Sequence, residues 1–203
     1  MVNRTAPSRT LRRRGRGHAV KIVVTGPFGA GKTTLIRTIS EITVLSTERD
    51  LSSAEEARAD KAQTTVAMDF GRIGIDSDLV LYLFGTPGQD RFEFMWEVLG
   101  EGMLGYVLML DNSRPESVSE ARNILAAFRR MAPVPFVVAV NRSDGLGPDD
   151  EMKVRVDLDL EPSIPIVPCD ATDKASVKTV LLALLHAVLE SIERAAETSA
   201  VRA

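Results

Sequence analysis

Eight consecutive residues, Gly26-Pro27-Phe28-Gly29-Ala30-Gly31-Lys32-Thr33, have the types and spacing to hold phosphate. In this G-x-x-x-x-G-K-T pattern, glycines let the backbone curl until successive N–H groups aim at one point. The N-terminus of a following helix adds partial positive charge there. Lys32 can reach the outer phosphates, and the Thr33 hydroxyl can bind Mg²⁺. The expected phosphate-site residues are Gly26, Phe28, Gly29, Ala30, Gly31, Lys32, Thr33 and Thr34. The context fits the motif: His18 to Thr25 reads as a buried β-branched strand, and Lys32 to Glu41 as a helix.

Four further segments carry chemistry that suits a nucleotide, each at the end or start of an expected strand. Thr65, in Gln63 to Phe70, can give its hydroxyl to a metal and its N–H to a γ-phosphate, which would make the loop before it a switch. In Phe84 to Phe92, the Gly88 N–H can touch a γ-phosphate and Gln89 can hold an attacking water. Val138 to Asp144 ends in N-x-x-D; the Asp144 carboxylate, beside Asn141 and Arg142, can accept the two hydrogen bonds that guanine offers and adenine lacks. In Pro168-Cys169-Asp170-Ala171-Thr172, the Ala171 N–H can meet a guanine carbonyl. Singly, the last three segments are ordinary turn chemistry. Their joint order along the chain gives the signal its weight.

Positioning these residues requires alternating strands and helices, hence an α/β three-layer sandwich: a mostly parallel six-stranded sheet with helices on both faces. Beyond the first strand, the expected strands are Thr65 to Ile75, Leu79 to Phe84, Gly105 to Leu110, Phe136 to Val140 and Ile164 to Val167. The second and third can pair as a hairpin through Asp76-Ser77. Helices are expected over Phe92 to Leu99, Pro115 to Met131 and Lys174 to Ala196, with a partial helix around Ser53 to Ala59. In the last helix, Val177, Val180, Leu181, Leu184, Leu185, Val188, Leu189 and Ile192 form one stripe expected to face the core.

The 203 residues therefore divide into a basic arm (1–17), one domain (18–196) and a short tail (197–203). The arm, with Arg4, Arg9, Arg12, Arg13, Arg14 and Arg16, is either a solvated tail or a patch for anionic membrane or an acidic partner. A net charge of −3 argues against nucleic acid as partner. The single cysteine fits a reducing, cytoplasmic setting, and no apolar run is expected to span a membrane.

On these motifs, the stretch from about Val20 to Ala196 resembles the Ras-like small GTPases. Thr65-Val66-Ala67-Met68-Asp69-Phe70 is similar to switch I and its strand, Gly88-Gln89 to the end of switch II, and Asn141, Asp144 and Ala171 to the base-reading positions. The resemblance implies a GTP/GDP switch using Mg²⁺, with Lys32, Thr65 and Gln89 in catalysis and Thr33 and Thr65 on the metal. Two positions depart from the pattern. The usual D-T-A-G-Q-E appears as Gly85-Thr86-Pro87-Gly88-Gln89-Asp90, without the aspartate that holds the metal shell, and N-K-x-D appears as Asn141-Arg142-Ser143-Asp144. The first departure, with Asp69 in the preceding strand, resembles the bacterial MglA-type branch, in which that aspartate is thought to compensate; this makes Asp69 a third metal residue. The phrases Thr64-Thr65-Val66-Ala67-Met68-Asp69-Phe70-Gly71 and Cys169-Asp170-Ala171-Thr172 look most like the GTPases of actinobacterial conservon operons, which implies roadblock-type and sensor-kinase-like partners. Slow hydrolysis is expected, since losing an outer-shell metal partner lowers affinity or activity by about 10- to 100-fold. An ATP-dependent P-loop enzyme with Asp111 as its metal carboxylate, and a scaffold without turnover, stay open as alternatives.

Arg49, Arg58 and Arg91 are candidates for an arginine that contacts the phosphates, surface arginine being the plainer reading of each. Cys169 is expected to pack and His186 to be structural or exposed; His18 receives no role. Phe92, Phe94, Met95 and Trp96 cannot all face inward from one short helix, so Trp96 is expected to be a partner contact. Asp149, Asp150 and Glu151 read as a solvated loop and helix start. Asp144→Asn should shift preference from guanine toward xanthine nucleotides, as competitive binding would show; an unchanged preference would remove Asp144 from base reading.

Overall fold

The computed structural model describes residues 18–46, 68–76, 78–88, 93–143 and 145–201. Thr65, Gln89, Asp144, the partial helix near Ser53, and Arg49, Arg58 and Arg91 lie outside them. The strands are β1 (His18–Thr25), β2 (Leu45–Ser46), β3 (Asp69–Gly74), β4 (Leu79–Gly85), β5 (Gly105–Asp111), β6 (Phe136–Asn141) and β7 (Ile166–Cys169). The helices are α1 (Lys32–Ile39), α2 (Glu93–Gly100), α3 (Glu116–Met131), α4 (Pro148–Asp157) and α5 (Lys174–Val201). The sheet runs β2-β3-β4-β1-β5-β6-β7, so the six expected strands are joined by a seventh, the two-residue edge strand β2. Pairings among β4, β1, β5, β6 and β7 are parallel, and the β2–β3 and β3–β4 pairings are antiparallel.

The central strands β5 and β6 are buried along their whole length, as apolar strands covered on both faces must be. Their alternation sorts side chains into two cores. Val107, Met109, Val137 and Ala139 join Leu35, Ile36, Val180 and Leu184 under α1 and α5. Tyr106, Leu108, Leu110 and Val138 join Trp96, Ile124, Phe128 and Val154 under α2, α3 and α4. β3 and β4 pair antiparallel as expected, and in their connection Asp76 Oδ1 accepts the Asp78 and Leu79 amides at 2.7 and 2.8 Å, Ser77 lying outside the described residues. Sequence order reverses direction across β1, and at such a switch point the carboxyl ends of the strands open a crevice.

Three expectations change. Trp96 is not a partner contact: only 2% of it is exposed, it packs beside Phe128, and its Nε1 donates to the Pro87 carbonyl at 3.0 Å. Phe94 and Val98 take the solvent side of α2 instead. The α5 stripe is core only as far as Val188; Leu189 and Ile192 are exposed, because the helix runs past the sheet edge and on beyond Ala196 to Val201. Finally, α5 is by length and composition apolar enough to cross a membrane, although Val177, Val180, Leu181, Leu184 and Val188 pack into the core. A solvated start at Asp149 to Glu151 is borne out, as the first turn of α4 after Pro148.

The division of α5 can be checked by urea unfolding. Leu184→Ala should destabilise by about 2–5 kcal/mol, since it opens a cavity in the core, and Ile192→Ala by less than about 0.5 kcal/mol, since its site is solvated.

Candidate functional site

β1 delivers the chain into the phosphate loop, where Gly26 and Gly31 each answer a close approach. Gly26 has φ 139°, and a Cβ on it would lie 2.3 Å from the Met109 carbonyl oxygen. Gly31 has φ 103°, and its Cβ would lie 2.4 Å from Asn141 Nδ2. α1 starts directly after Gly31, an N-cap with no side chain of its own to take the first-turn N–H groups, as suits a helix N-terminus that receives an anion. Lys32 is buried, and its Nζ donates to the carbonyls of Gly26 at 2.8 Å and Pro27 at 2.7 Å. The segment Thr86-Pro87-Gly88 lies against the loop: a Cβ on Gly88 would stand 2.5 Å from Phe28 N and 2.7 Å from Lys32 Nζ.

The second centre is Thr33 with Asp69. The Thr33 hydroxyl donates to Asp69 Oδ2 at 2.5 Å. Asp69 is buried, and its Oδ1 has no hydrogen-bond partner among the described residues. The antiparallel register sets Asp69 opposite Gly85. A Cβ on Gly85 would meet Asp69 Cβ at 3.0 Å and Oδ2 at 3.1 Å. The space a side chain at position 85 would take is thus filled by Asp69 from the neighbouring strand together with Ile36 Cδ1, which would lie at 2.9 Å. Alongside, the Thr86 hydroxyl donates to Thr25 Oγ1 at 2.8 Å.

At the other end, Asn141 closes β6. Its Nδ2 donates to the Ala30 carbonyl at 3.0 Å, and its Oδ1 accepts the Ala171 amide at 3.0 Å. The Ala171 N–H, expected to meet a base carbonyl, is therefore held by Asn141. Asp170 binds its own turn, accepting from Thr172 N at 2.8 Å and Thr172 Oγ1 at 2.6 Å, which holds its carboxyl below the usual range. Cys169 is buried in the α1–α5 core, where desolvation pushes its thiol up to about 11, so it packs and is protonated at neutral pH. Arg142 has a left-handed backbone (φ 57°) and pairs with the buried Asp111 carboxylate. Asp111 Oδ1 also accepts Ser113 N at 3.0 Å and Ser113 Oγ at 2.6 Å.

One cleft is lined by Phe28, Gly29, Gly31, Lys32, Thr33, Thr34, Asp69, Gly88 and Arg142. Nine of the expected site residues meet there. Gly26, Ala30 and Asn141 are buried, and Asn141 ties Ala30 of the loop to Ala171; Cys169, Asp170 and Ala171 are not among the lining residues. Sequence reading did not assign Thr86 and Pro87 to the lining, although they flank Gly88 in a segment it did single out. It also assigned no role to Arg114, whose Nη1 donates to the Phe28 carbonyl at 2.6 Å from 86 residues away.

The comparisons with known proteins agree with this geometry at the level of the superfamily. The chain is similar to an uncharacterized protein of Methanocaldococcus jannaschii, 28% identical over 125 residues that cover 62% of this chain and 71% of that one. It is 26% identical to ADP-ribosylation factor-like protein 3 of Saccharomyces cerevisiae over 137 residues, 66% of this chain and 63% of the relative. It is 27% identical to GTP-binding protein ypt4 of Schizosaccharomyces pombe over 136 residues, 63% of this chain and 52% of the relative. The chain thus spans between half and two thirds of the last two. A family match covers residues 24–190, from within β1 into α5. The chain belongs to the family described as conserved hypothetical ATP binding proteins, within the P-loop, Ras-like GTPase superfamily.

Proposed function

We propose that the protein is a guanine-nucleotide switch of the MglA type that hydrolyses GTP slowly and signals to protein partners. The observation that carries the guanine reading is the Asn141 clamp. It holds Asn141, the first residue of the N-x-x-D segment, against both Ala30 and Ala171 and so beside the phosphate loop. In this reading Asp144 takes the ring N–H and amino group of guanine, and Arg142, steadied by Asp111, offers a flat cation to the base. Lys32 exchanges loop carbonyls for phosphate oxygens, Thr65 joins the γ-phosphate, and Gln89 orients the attacking water. The close seat of Gly88 on Phe28 and Lys32 supports switching, because a γ-phosphate at the mouth of the loop would displace it.

The Thr33–Asp69 pair fits Mg²⁺: a hydroxyl and a buried carboxylate lie together, and one carboxylate oxygen has no partner among the described residues. Bound there, Mg²⁺ would neutralise charge on the β- and γ-phosphates. Thr33 would give its hydroxyl oxygen to the ion, and Asp69 would accept from the shell in place of the aspartate missing at Gly85. The roadblock-type and sensor-kinase-like partners, a cytoplasmic setting, and contact of the arginine-rich arm with membrane or acidic protein belong to the same proposal.

One observation favours a second reading. The family description names ATP, and an ATP-dependent enzyme would use Asp111 at the metal. That carboxylate, however, is already bound by Arg142 and Ser113.

Calorimetric titration of the nucleotide-stripped chain with GDP, GTP and ATP, each with Mg²⁺, separates the two. Micromolar or tighter binding of GDP and GTP with none of ATP is expected, and a preference for ATP would move the assignment to the second reading. For the metal residue, Asp69→Ala should lower Mg²⁺-dependent GDP affinity by about 10- to 100-fold. Gly85→Asp alone should destabilise by about 1–3 kcal/mol in thermal unfolding, because its side chain has no room beside Asp69. The two changes together should relieve the part of that clash made by the Asp69 carboxylate, leaving the contacts with the Cβ at 69 and Ile36 Cδ1, and recover part of the metal-dependent affinity. A neutral Gly85→Asp would show that Asp69 does not fill the site.

A further inference from the structure

Arg114 lies at the end of the turn that leaves β5. The turn is pinned: Ser113 binds the Asp111 carboxylate, and the Arg114 amide donates to the Asp111 carbonyl at 3.1 Å. Every guanidinium nitrogen then has a partner. Nε donates to Glu116 Oε1 at 3.1 Å, Nη2 to Glu120 Oε1 at 3.1 Å, and Nη1 to the Phe28 carbonyl at 2.6 Å. Surface ion pairs of this kind add little stability. What two carboxylates on one arginine do supply is a fixed plane, and here the remaining corner of the plane meets the phosphate loop.

The group it grips is the peptide between Phe28 and Gly29. Gly29 has φ 78°, and a residue without Cβ at such a φ allows the preceding peptide to rotate at little steric cost. In a planar trans peptide the C=O and the next N–H point in opposite directions. Holding the Phe28 carbonyl from the α3 side therefore turns the Gly29 N–H toward the cleft that Gly29 and Lys32 line. The charge of Arg114 is balanced by Glu116 and Glu120, so its contribution is orientation rather than charge on a phosphate.

We infer that Arg114 is a positioning residue that locks the Phe28–Gly29 peptide with its N–H facing the bound phosphates. The inference rests on the nucleotide reading above and adds a residue that the phosphate-loop pattern does not contain.

The test uses the full chain with GDP and Mg²⁺, read by calorimetry and by the Gly29 amide resonance in ¹H–¹⁵N spectra of the complex. Arg114→Ala should weaken GDP about 10-fold, the loss expected for one charge-assisted hydrogen bond. It should also move the Gly29 resonance away from its phosphate-bonded position while the melting temperature holds, which a merely structural contact would not do. Arg114→Lys, with one ammonium for the same carbonyl, should recover most of the affinity. Glu116→Gln with Glu120→Gln should weaken GDP in the native background and add nothing in Arg114→Ala. Affinity within about twofold of native, with an unmoved Gly29 resonance, overturns the lock alone. A native chain that binds no nucleotide overturns the reading beneath it as well. Should Arg114→Ala fail to fold, the Glu116 and Glu120 variants and Arg114→Lys decide the question by the same two readouts.

Discussion

The site depends on one buried carboxamide. Asn141 stands at the end of the fully buried strand β6 and bridges two loops that are far apart in sequence, through Ala30 on one side and Ala171 on the other. Removing the amide would orphan two backbone groups in a dry environment, at about 1–3 kcal/mol each. The bridge also dictates local sequence. Because Nδ2 reaches the loop backbone so closely, position 31 has no room for a Cβ, and its positive φ suits glycine independently. The phosphate loop, the end of β6 and the turn after β7 are therefore one unit, braced from behind by a residue that need not touch a phosphate.

The two departures from the superfamily pattern each come with a partner. Gly85 lacks a carboxylate, and Asp69 supplies one to the same space from the adjacent strand. Arg142 replaces a lysine, and Asp111 fixes its guanidinium. A buried carboxylate is stable only where it is paired or hydrogen-bonded. Asp111 meets that condition fully, through Arg142 and Ser113. Asp69 meets it through one oxygen, Oδ2, while its Oδ1 has no partner among the described residues. The two acids differ in this respect although each lies at a strand terminus, a difference that sequence alone does not show.

What was legible in the sequence was local or periodic. The phosphate loop is contiguous, the strands are short apolar runs between turn residues, and α5 has a helical stripe. What was not legible depended on tertiary register. Asp69 and Gly85 are 16 positions apart, and only the β3–β4 pairing brings them together. Trp96 looked like a surface residue because its helix is apolar all round; the acceptor that draws its indole inward is a carbonyl in the preceding loop. The α5 stripe continues past the point where the sheet stops, and periodicity cannot say where a partner layer ends. Arg114 reads as an ordinary arginine beside two glutamates until the fold places the Phe28 carbonyl against it. The amide of Ala171 was assigned to a ligand because its position in the loop matched a motif, whereas its hydrogen-bond partner is set by Asn141.

Lys32 and Gly88 show how these parts are mechanically joined. A buried ammonium requires acceptors, and the loop's own carbonyls at Gly26 and Pro27 supply them. Gly88 covers the same ammonium so closely that only a residue without a side chain fits. The preceding residue, Pro87, is held at its carbonyl by Trp96, whose ring is fixed in the core against Phe128. The Pro87–Gly88 unit is thus gripped at one end by the phosphate loop and at the other by the packing of α2 on α3. Its length is a single peptide, too short to absorb a displacement internally. The Pro87–Gly88 unit therefore joins the phosphate loop to the seat of α2 by direct contacts, and the exposed Phe94 and Val98 lie on that helix.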